Sequence, residues 1–211
     1  MKGIIFDMDG TLWDSAKAVA DSWSDIVVEK YGEEHRIFED DIKAVMGKPM
    51  NELADIIFDF VEDEDERYEL LDVCGKYENE YLIKHGGVLY PDLEDTFKKL
   101  KENYNLYIVS NCQSGYIEAF LEHYGFEKYF DDIECFGNNN LMKDENIRKI
   151  VERNNLEKAV YVGDIQGDYD STMKAGIDFI LADYGFGSVD KEVPKIEKFS
   201  DLINVAKEIL G

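Results

Sequence analysis

Cysteine, positive charge and long apolar runs are all scarce in this chain. Its three cysteines, Cys74, Cys112 and Cys135, show no metal-ligand spacing. Their odd number argues against a disulfide framework and points to a reducing compartment. Lysine and arginine together number 23 against 47 acidic residues, for a formal net charge of -24 and a pI near 4.3. Such a surface repels phosphate backbones, which argues against nucleic acid and anionic membranes as partners. It leaves room for a small phosphorylated metabolite, because a bound divalent cation inverts the local charge. No apolar run approaches the roughly 18 residues a spanning helix needs. The N-terminus carries acids by position 7, which a secretory leader would not. A cytoplasmic protein is the expectation.

The 211 residues are 45% hydrophobic and 13% aromatic. That suffices for one domain, or for a core plus an insertion. Three short apolar runs read as buried strands: Ile4–Phe6, Leu106–Ser110 and Ala159–Gly163. Ile133–Phe136 reads as a weaker strand and Phe179–Leu181 as the last. Helical spacing follows Ser15, a candidate cap, through Trp23 to Tyr31, and recurs over Ile42–Met46, Leu53–Phe60 and Tyr68–Ile83. Amphipathic helices are expected over Leu93–Leu100, after Ser114, after Lys143, and in the stretch ending at Gly211. Asn138–Asn140 reads as a polar loop. The acidic run Asp59–Glu66 reads as a solvated surface between helices. Gly47-Lys48-Pro49 is a break, with Lys48 one of few cations able to face an anionic substrate. No strand is evident between about 15 and 86, and His85-Gly86-Gly87 looks like a return linker. The block 15–86 is therefore an inserted helical unit, and 1–14 with 87–211 form an α/β core whose alternation implies a parallel sheet.

The chemistry is concentrated where the strands stop. Ile4-Ile5-Phe6 runs into Asp7-Met8-Asp9-Gly10-Thr11, the second strand ends in Ser110-Asn111, and the third ends in Gly163-Asp164, with Asp168 four residues on. In one parallel sheet these ends share an edge, where ligands bind. Four carboxylates there would repel one another and raise each other's pKa values. A hard divalent cation resolves the conflict, and Mg²⁺ suits a site of carboxylates plus a substrate phosphate. Lys143 and the Ser110 hydroxyl suit the oxygens of a phosphoryl group.

This constellation resembles the haloacid-dehalogenase-like (HAD) superfamily, in its phosphatase branch with a helical cap inserted after the first strand. Asp7-Met8-Asp9-Gly10-Thr11 is similar to the first motif, DxDGT. Ser110-Asn111 is similar to the second, Lys143 to the third, and Gly163-Asp164 with Asp168 to the fourth. The resemblance covers essentially the whole chain and implies a Rossmann-like core. It implies Asp7 as nucleophile, forming an aspartyl-phosphate, and Asp9 as general acid and then base. Mg²⁺ would sit on the Asp7 carboxylate, the Asp9 main-chain carbonyl and Asp164, with Asp168 completing or orienting the shell. Ser110, Asn111 and Lys143 would hold the phosphoryl group. Two positions depart from the pattern. Lys143 is followed by Asp144 where proline is usual, and Tyr90-Pro91-Asp92 stands for Tyr-Pro-Gly.

Within the superfamily, Asp9 argues against the dehalogenase branch, which lacks that acid. Lys17 is a candidate for the Schiff-base lysine of the phosphonate-hydrolysing branch, but it falls on an exposed helix face. The β-phosphoglucomutase-like branch shares all four motifs but carries a histidine where Val19 stands. The run Asp14–Val19 resembles the phosphoglycolate-phosphatase-like group. A small phosphomonoester is therefore the expected substrate. A mutase, a pyrophosphatase and a catalytically silent binding module remain as alternatives, and a monomer or homodimer is expected.

Overall fold

The computed structural model describes residues 1–211. Its centre is a six-stranded sheet in the order β5-β4-β1-β6-β7-β8, with every neighbour parallel. The strands are β1 (Lys2–Phe6), β4 (Asn105–Ser110), β5 (Asp132–Cys135), β6 (Lys158–Gly163), β7 (Asp178–Ala182) and β8 (Lys195–Ile196). Side chains alternate between the two faces, as the pleat requires. Ile4 and Phe6, with Leu106, Ile108, Val160 and Val162, face one hydrophobic cluster; Ile5, Tyr107, Val109 and Tyr161 face another. Burial of both faces explains why these strands read as continuous apolar runs rather than alternating ones.

Helices cover both faces. On the first pack α5 (Leu93–Leu100), α6 (Tyr116–Tyr124) and α10 (Leu202–Leu210); on the second pack α8 (Lys143–Arg153) and α9 (Gln166–Ala175). Phe97 of α5 is fully buried among Phe6, Phe126, Phe130 and Phe199, each in an edge-to-face arrangement with ring centroids 5.1–5.9 Å apart. Such pairs add to the stabilisation from area alone. Asp92 takes a left-handed φ of 64° where the family pattern has glycine, so the turn before α5 survives the departure, because Asp tolerates that conformation better than most residues.

A block of helices separates β1 from the other strands of the sheet. It comprises α1 (Ala16–Tyr31), α2 (Glu39–Lys43), α3 (Met50–Ile57) and α4 (Glu64–His85), gathered around a separate cluster that includes Val19, Trp23, Ile42, Leu53, Phe58 and Leu70. Within the acidic run, Phe60 and Val61 belong to this cluster and the acids start α4: Asp63 accepts a hydrogen bond from the Glu66 amide, and Glu64, Asp65 and Glu66 fill the first turn, where negative charge complements the helix dipole. The chain leaves and re-enters the core through a small antiparallel pair, β2 (Trp13–Asp14) and β3 (Val88–Leu89), in which Trp13 pairs with Leu89 and Asp14 with Val88.

Four expectations are corrected. Phe179–Leu181 is not the last strand: β8 adds two residues beside Leu181 and Ala182, too few to carry a period. Phe136–Asn139 forms one helical turn, α7, and only Asn140 is left-handed (φ 59°), so the Asn run closes a turn instead of forming an open loop. Ser114 does not cap α6; Gly115 precedes that helix at φ 90°. Lys143 is the first residue of α8 and does not precede it.

Replacing Phe97 by alanine should destabilise the fold by about 3–5 kcal/mol, the usual range for emptying an aromatic core site, as read by denaturant unfolding.

Candidate active site

The parallel register brings the strand ends level. Gly3 through Phe6 of β1 stand beside Asn105 through Ile108 of β4 and beside Ala159 through Val162 of β6, and the Asp7 amide still donates to the Val162 carbonyl (2.9 Å). Asp7, Ser110 and Asp164 thus emerge together at the carboxyl edge. β1 sits between β4 and β6, at the point where strand order reverses and α/β sheets place their ligands.

One buried cation organises this edge. Lys143 Nζ donates to Asp7 Oδ1 (2.9 Å) and to Asp168 Oδ1 (2.6 Å). Asp168 Oδ2 accepts from the main-chain amides of Asp164 (3.0 Å) and Ile165 (3.2 Å). Asp168 therefore fixes the turn after β6 and the lysine at once. An ammonium has three donors, so one N–H of Lys143 is left for a ligand. Burial alone would lower the Lys143 pKa, but the charges of Asp168 and Asp7 outweigh it and hold the lysine protonated.

Asp7, Asp164 and Asp168 present carboxylate oxygens that all lie within 4.8 Å of one another, and all three residues are buried. Burial, followed by the Asp168 charge, pushes the Asp7 carboxyl up to about 7. The same two causes, joined by Asp7, push Asp164 up to about 8. Three carboxylates face one ammonium, so two negative charges have no partner within the protein. An all-oxygen donor set with that excess fits a hard divalent cation. Asp164 is itself cradled: Phe186 N–H donates to its Oδ2 (2.7 Å), and a Cβ at either Gly10 or Gly185 would overlap its side chain. Glycine is required at those two positions by close approach, and at Gly10 also by a φ of 80°.

Asp9 stands apart from this cluster. Its Oδ1 accepts hydrogen bonds from Ser15 Oγ (2.6 Å) and the Tyr116 hydroxyl (2.6 Å), while Oδ2 takes none from the protein. Burial raises its pKa, and the two hydroxyl donors oppose the rise. The side chain of Asp9 therefore does not join the buried carboxylate group, and only its main-chain carbonyl remains for the ligand role the family pattern gives it. Ser15, expected to cap α1, holds the N-cap position without a capping bond; its hydroxyl is committed to Asp9.

Asp7, Asp9, Ser110, Asn111 and Lys48 all line one cavity of about 50 Å³ between the sheet edge and the helical insertion. Asn111 reaches across it, its Nδ2 donating to the Gly47 carbonyl (3.0 Å), while its buried Oδ1 has no partner. Cys112 is a buried wall residue whose thiol is pushed well up by burial, which makes it an inert packing residue. Lys17 lies outside the cavity, exposed and paired with Asp21 (2.6 Å).

Sequence periodicity assigns Tyr116 to the apolar face of α6, and its hydroxyl proves to orient Asp9. Tyr161, a strand residue by pattern, donates from its hydroxyl to the Val109 carbonyl (2.7 Å) beneath Asp7. Glu78 escapes notice although it carries a readable signal: Leu70, Cys74, Glu78 and Leu82 stand four residues apart on one buried stripe of α4, and one of them is an acid.

The model of the haloacid dehalogenase-like hydrolase family matches residues 4–182. The phosphoglycolate phosphatase of Aquifex aeolicus (strain VF5) is 26% identical over 212 residues, spanning 97% of this chain and 96% of its own. That of Rhodobacter capsulatus is 25% identical over 211 residues, spanning 94% and 92%. The same fold occurs in a structure described as a predicted phosphoglycolate phosphatase from Haemophilus somnus 129pt, at a TM-score of 0.81 and 21% identity over 96% of both chains. It occurs also in a haloacid dehalogenase-like hydrolase from Bacteroides fragilis, at a TM-score of 0.79 and 22% identity over 95% of this chain and 98% of that one. With its motifs gathered at one sheet edge and its family pattern matched across most of its length, the chain belongs to the haloacid dehalogenase-like hydrolases and is an enzyme related to their phosphatases.

Proposed function

We propose that the protein is a Mg²⁺-dependent phosphatase of small phosphomonoesters, working through an aspartyl-phosphate on Asp7. In this reading residues 1–14 and 87–211 are the catalytic core and 15–86 a cap that selects the substrate. The observation that carries it is the contrast between the two acids of the first motif. Asp7 lies among carboxylates beside a buried lysine. Asp9, two residues on, lies outside that cluster in a hydroxyl-lined niche with its pKa raised. Two carboxyls held in such different surroundings are suited to different tasks.

The chemistry follows from those surroundings. Asp7 Oδ1 is held by Lys143 and its other oxygen accepts no hydrogen bond from the protein, so that oxygen is free to attack phosphorus in line. Asp9, protonated, gives its proton to the departing alkoxide as the P–O bond breaks. Water then attacks the acyl phosphate, Asp9 takes up its proton, and inorganic phosphate leaves with the Asp7 carboxylate restored. Lys143, Ser110 and Asn111 hold the phosphoryl oxygens, and Tyr116 with Ser15 keeps Asp9 aimed. The cation would be held by Asp7, the Asp9 main-chain carbonyl and Asp164, with Asp168 orienting the shell. When bound, it supplies the positive charge that keeps Asp7 ionised and offsets charge on the transferring group. Val19 is apolar and lines the cavity, so it offers no polar group for handing the phosphoryl to a second hydroxyl. That favours hydrolysis over the mutase reaction. The three unpaired, buried cysteines favour a cytoplasmic setting.

In metal-free protein, Asp7 and Asp164 bind a proton more tightly folded than unfolded, since their pKa values rise from 3.8 to about 7 and about 8. The folded state therefore holds the extra protons, and stability should fall as pH rises from about 4 towards 8. Millimolar Mg²⁺ should recover it at the alkaline end, raising Tm by about 5–10 °C. A flat Tm against pH, with no response to Mg²⁺, would remove the metal site.

Activity gives the second test. Phosphate release from small phosphoesters should require Mg²⁺. Asp7→Asn should lower kcat by about a thousandfold or more, and Asp9→Asn by about 10²–10⁴-fold, with circular dichroism unchanged. Near-wild-type turnover in Asp7→Asn would exclude the covalent route.

A further inference from the structure

The loop between α2 and α3 makes a contact that the reaction above does not use. Asn111, at the exit of β4, donates from Nδ2 to the Gly47 carbonyl (3.0 Å), 64 positions away in the helical insertion. Gly47 also lies against the exit of β6, where a Cβ on it would collide with Ile165 Cδ1, and its φ is 82°. Ile165 follows Asp164 and donates its amide to Asp168 (3.2 Å). Glycine answers both demands, the close approach and the left-handed backbone. The loop therefore rests on two of the three strand exits that build the site.

The contact sets the direction of the Asn111 amide. A carbonyl only accepts, so it holds the Nδ2 end of the amide towards the insertion. Nδ2 carries two N–H groups. Gly47 takes one, and the other is left for a phosphoryl oxygen in the cavity that Asn111 lines with Asp7 and Ser110. Asn111 Oδ1 is buried without a partner, so the Gly47 carbonyl is the one group that holds this amide. The balance at the contact is fine. A single neutral hydrogen bond contributes little net stability, and a buried acceptor left unpaired costs as much or more. The bond to Gly47 thus orients the amide without locking the loop, and a ligand on the second N–H tips the balance towards docking.

We propose that Gly47 is a positioning residue: its carbonyl aims the Asn111 amide at the phosphoryl group, so that phosphate binding and docking of the 44–48 segment are one coupled event. This inference rests on the phosphatase reading. The coupling runs both ways. A docked loop raises affinity for the phosphoryl group, and a bound phosphoryl group holds the loop against the sheet edge. The insertion then completes the phosphate site through a main-chain atom, independently of the side chains it turns towards the leaving group.

The test uses inorganic phosphate as the probe, with Mg²⁺ present throughout. The amides of Ala44, Val45 and Lys48 donate to carbonyls of the same stretch, so their hydrogen exchange reports opening of the segment. In wild type, saturating phosphate should slow that exchange by about tenfold. In Asn111→Ala, phosphate raised to saturation should leave it unmoved. By calorimetry, Gly47→Ala and Asn111→Ala should each weaken phosphate binding by about tenfold, and the double variant by little more than either, because the two residues act through one contact. Full protection of 44–48 in phosphate-saturated Asn111→Ala overturns the assignment, and so do single effects that multiply in the double variant. Either result leaves the phosphatase reading intact. If Gly47→Ala does not fold, the exchange comparison decides alone. A folded wild type that neither binds phosphate nor releases it from any ester would defeat the phosphatase reading and this inference with it.

Discussion

The ammonium of Lys143, buried between Asp7 and Asp168, is the contact on which the rest of the site depends. It joins the first residue of α8 to the end of β1 and to the first turn of α9, three elements far apart in the chain. Removing either partner of such a pair leaves an uncompensated charge in a dry place, which costs far more than the pair itself is worth. The lysine still does not balance the cluster. The sheet edge is therefore built with a deficit of positive charge, and its acids are tuned by that deficit as much as by burial. The main-chain bonds of Asp168 to Asp164 and Ile165 make the same point structurally: one carboxylate sets the turn, the helix start and the lysine together.

The two acids after β1 show how a two-residue offset separates chemical surroundings. Asp7 follows the strand direction into the buried cluster. Asp9, two residues on, turns its carboxylate towards Ser15 and Tyr116, and the chain bends just after it at Gly10 (φ 80°). Those donors come from the start of α1 and from α6, so the site is assembled from the insertion's first helix as well as from the sheet. The bond from Asn111 to the Gly47 carbonyl adds a second tie between the two, directly across the cavity.

Much of this arrangement was legible in the amino-acid order. Buried parallel strands announce themselves as short β-branched or aromatic runs, so β1, β4 and β6 could be placed, and the acids at their ends followed. The four helical segments of the insertion were visible because their apolar residues recur at helical spacing, although α2 and α3 begin three residues earlier than the pattern suggested. What escaped was of two kinds. β2, β3 and β8 are two residues long, below any period, and exist only because a partner lies beside them. Tyr116, Tyr161 and Glu78 sit on apolar faces where pattern predicts packing. Their polar atoms matter only through residues brought near by the fold, 107 positions away in the bond from Tyr116 to Asp9.

The β2–β3 pair has an architectural consequence. Asp14 and Val88 are register partners, so the chain departs for the helices and returns from them at the same spot. The helical unit is thus a loop closed at its base by a two-residue clasp, and side chains tie it further to the core: Asn79 donates to the Ser114 carbonyl and Asn111 to that of Gly47. Closure entropy grows only slowly with loop length, so the sheet is almost indifferent to how long the loop is or what it contains. Lengthening within the helices can therefore proceed at little entropic cost to the strand register that aligns Asp7, Ser110 and Asp164, so long as α4 keeps its packing on α6. The sheet edge and the helical surface across the cavity from it are covalently one chain but can vary as two separate inheritances.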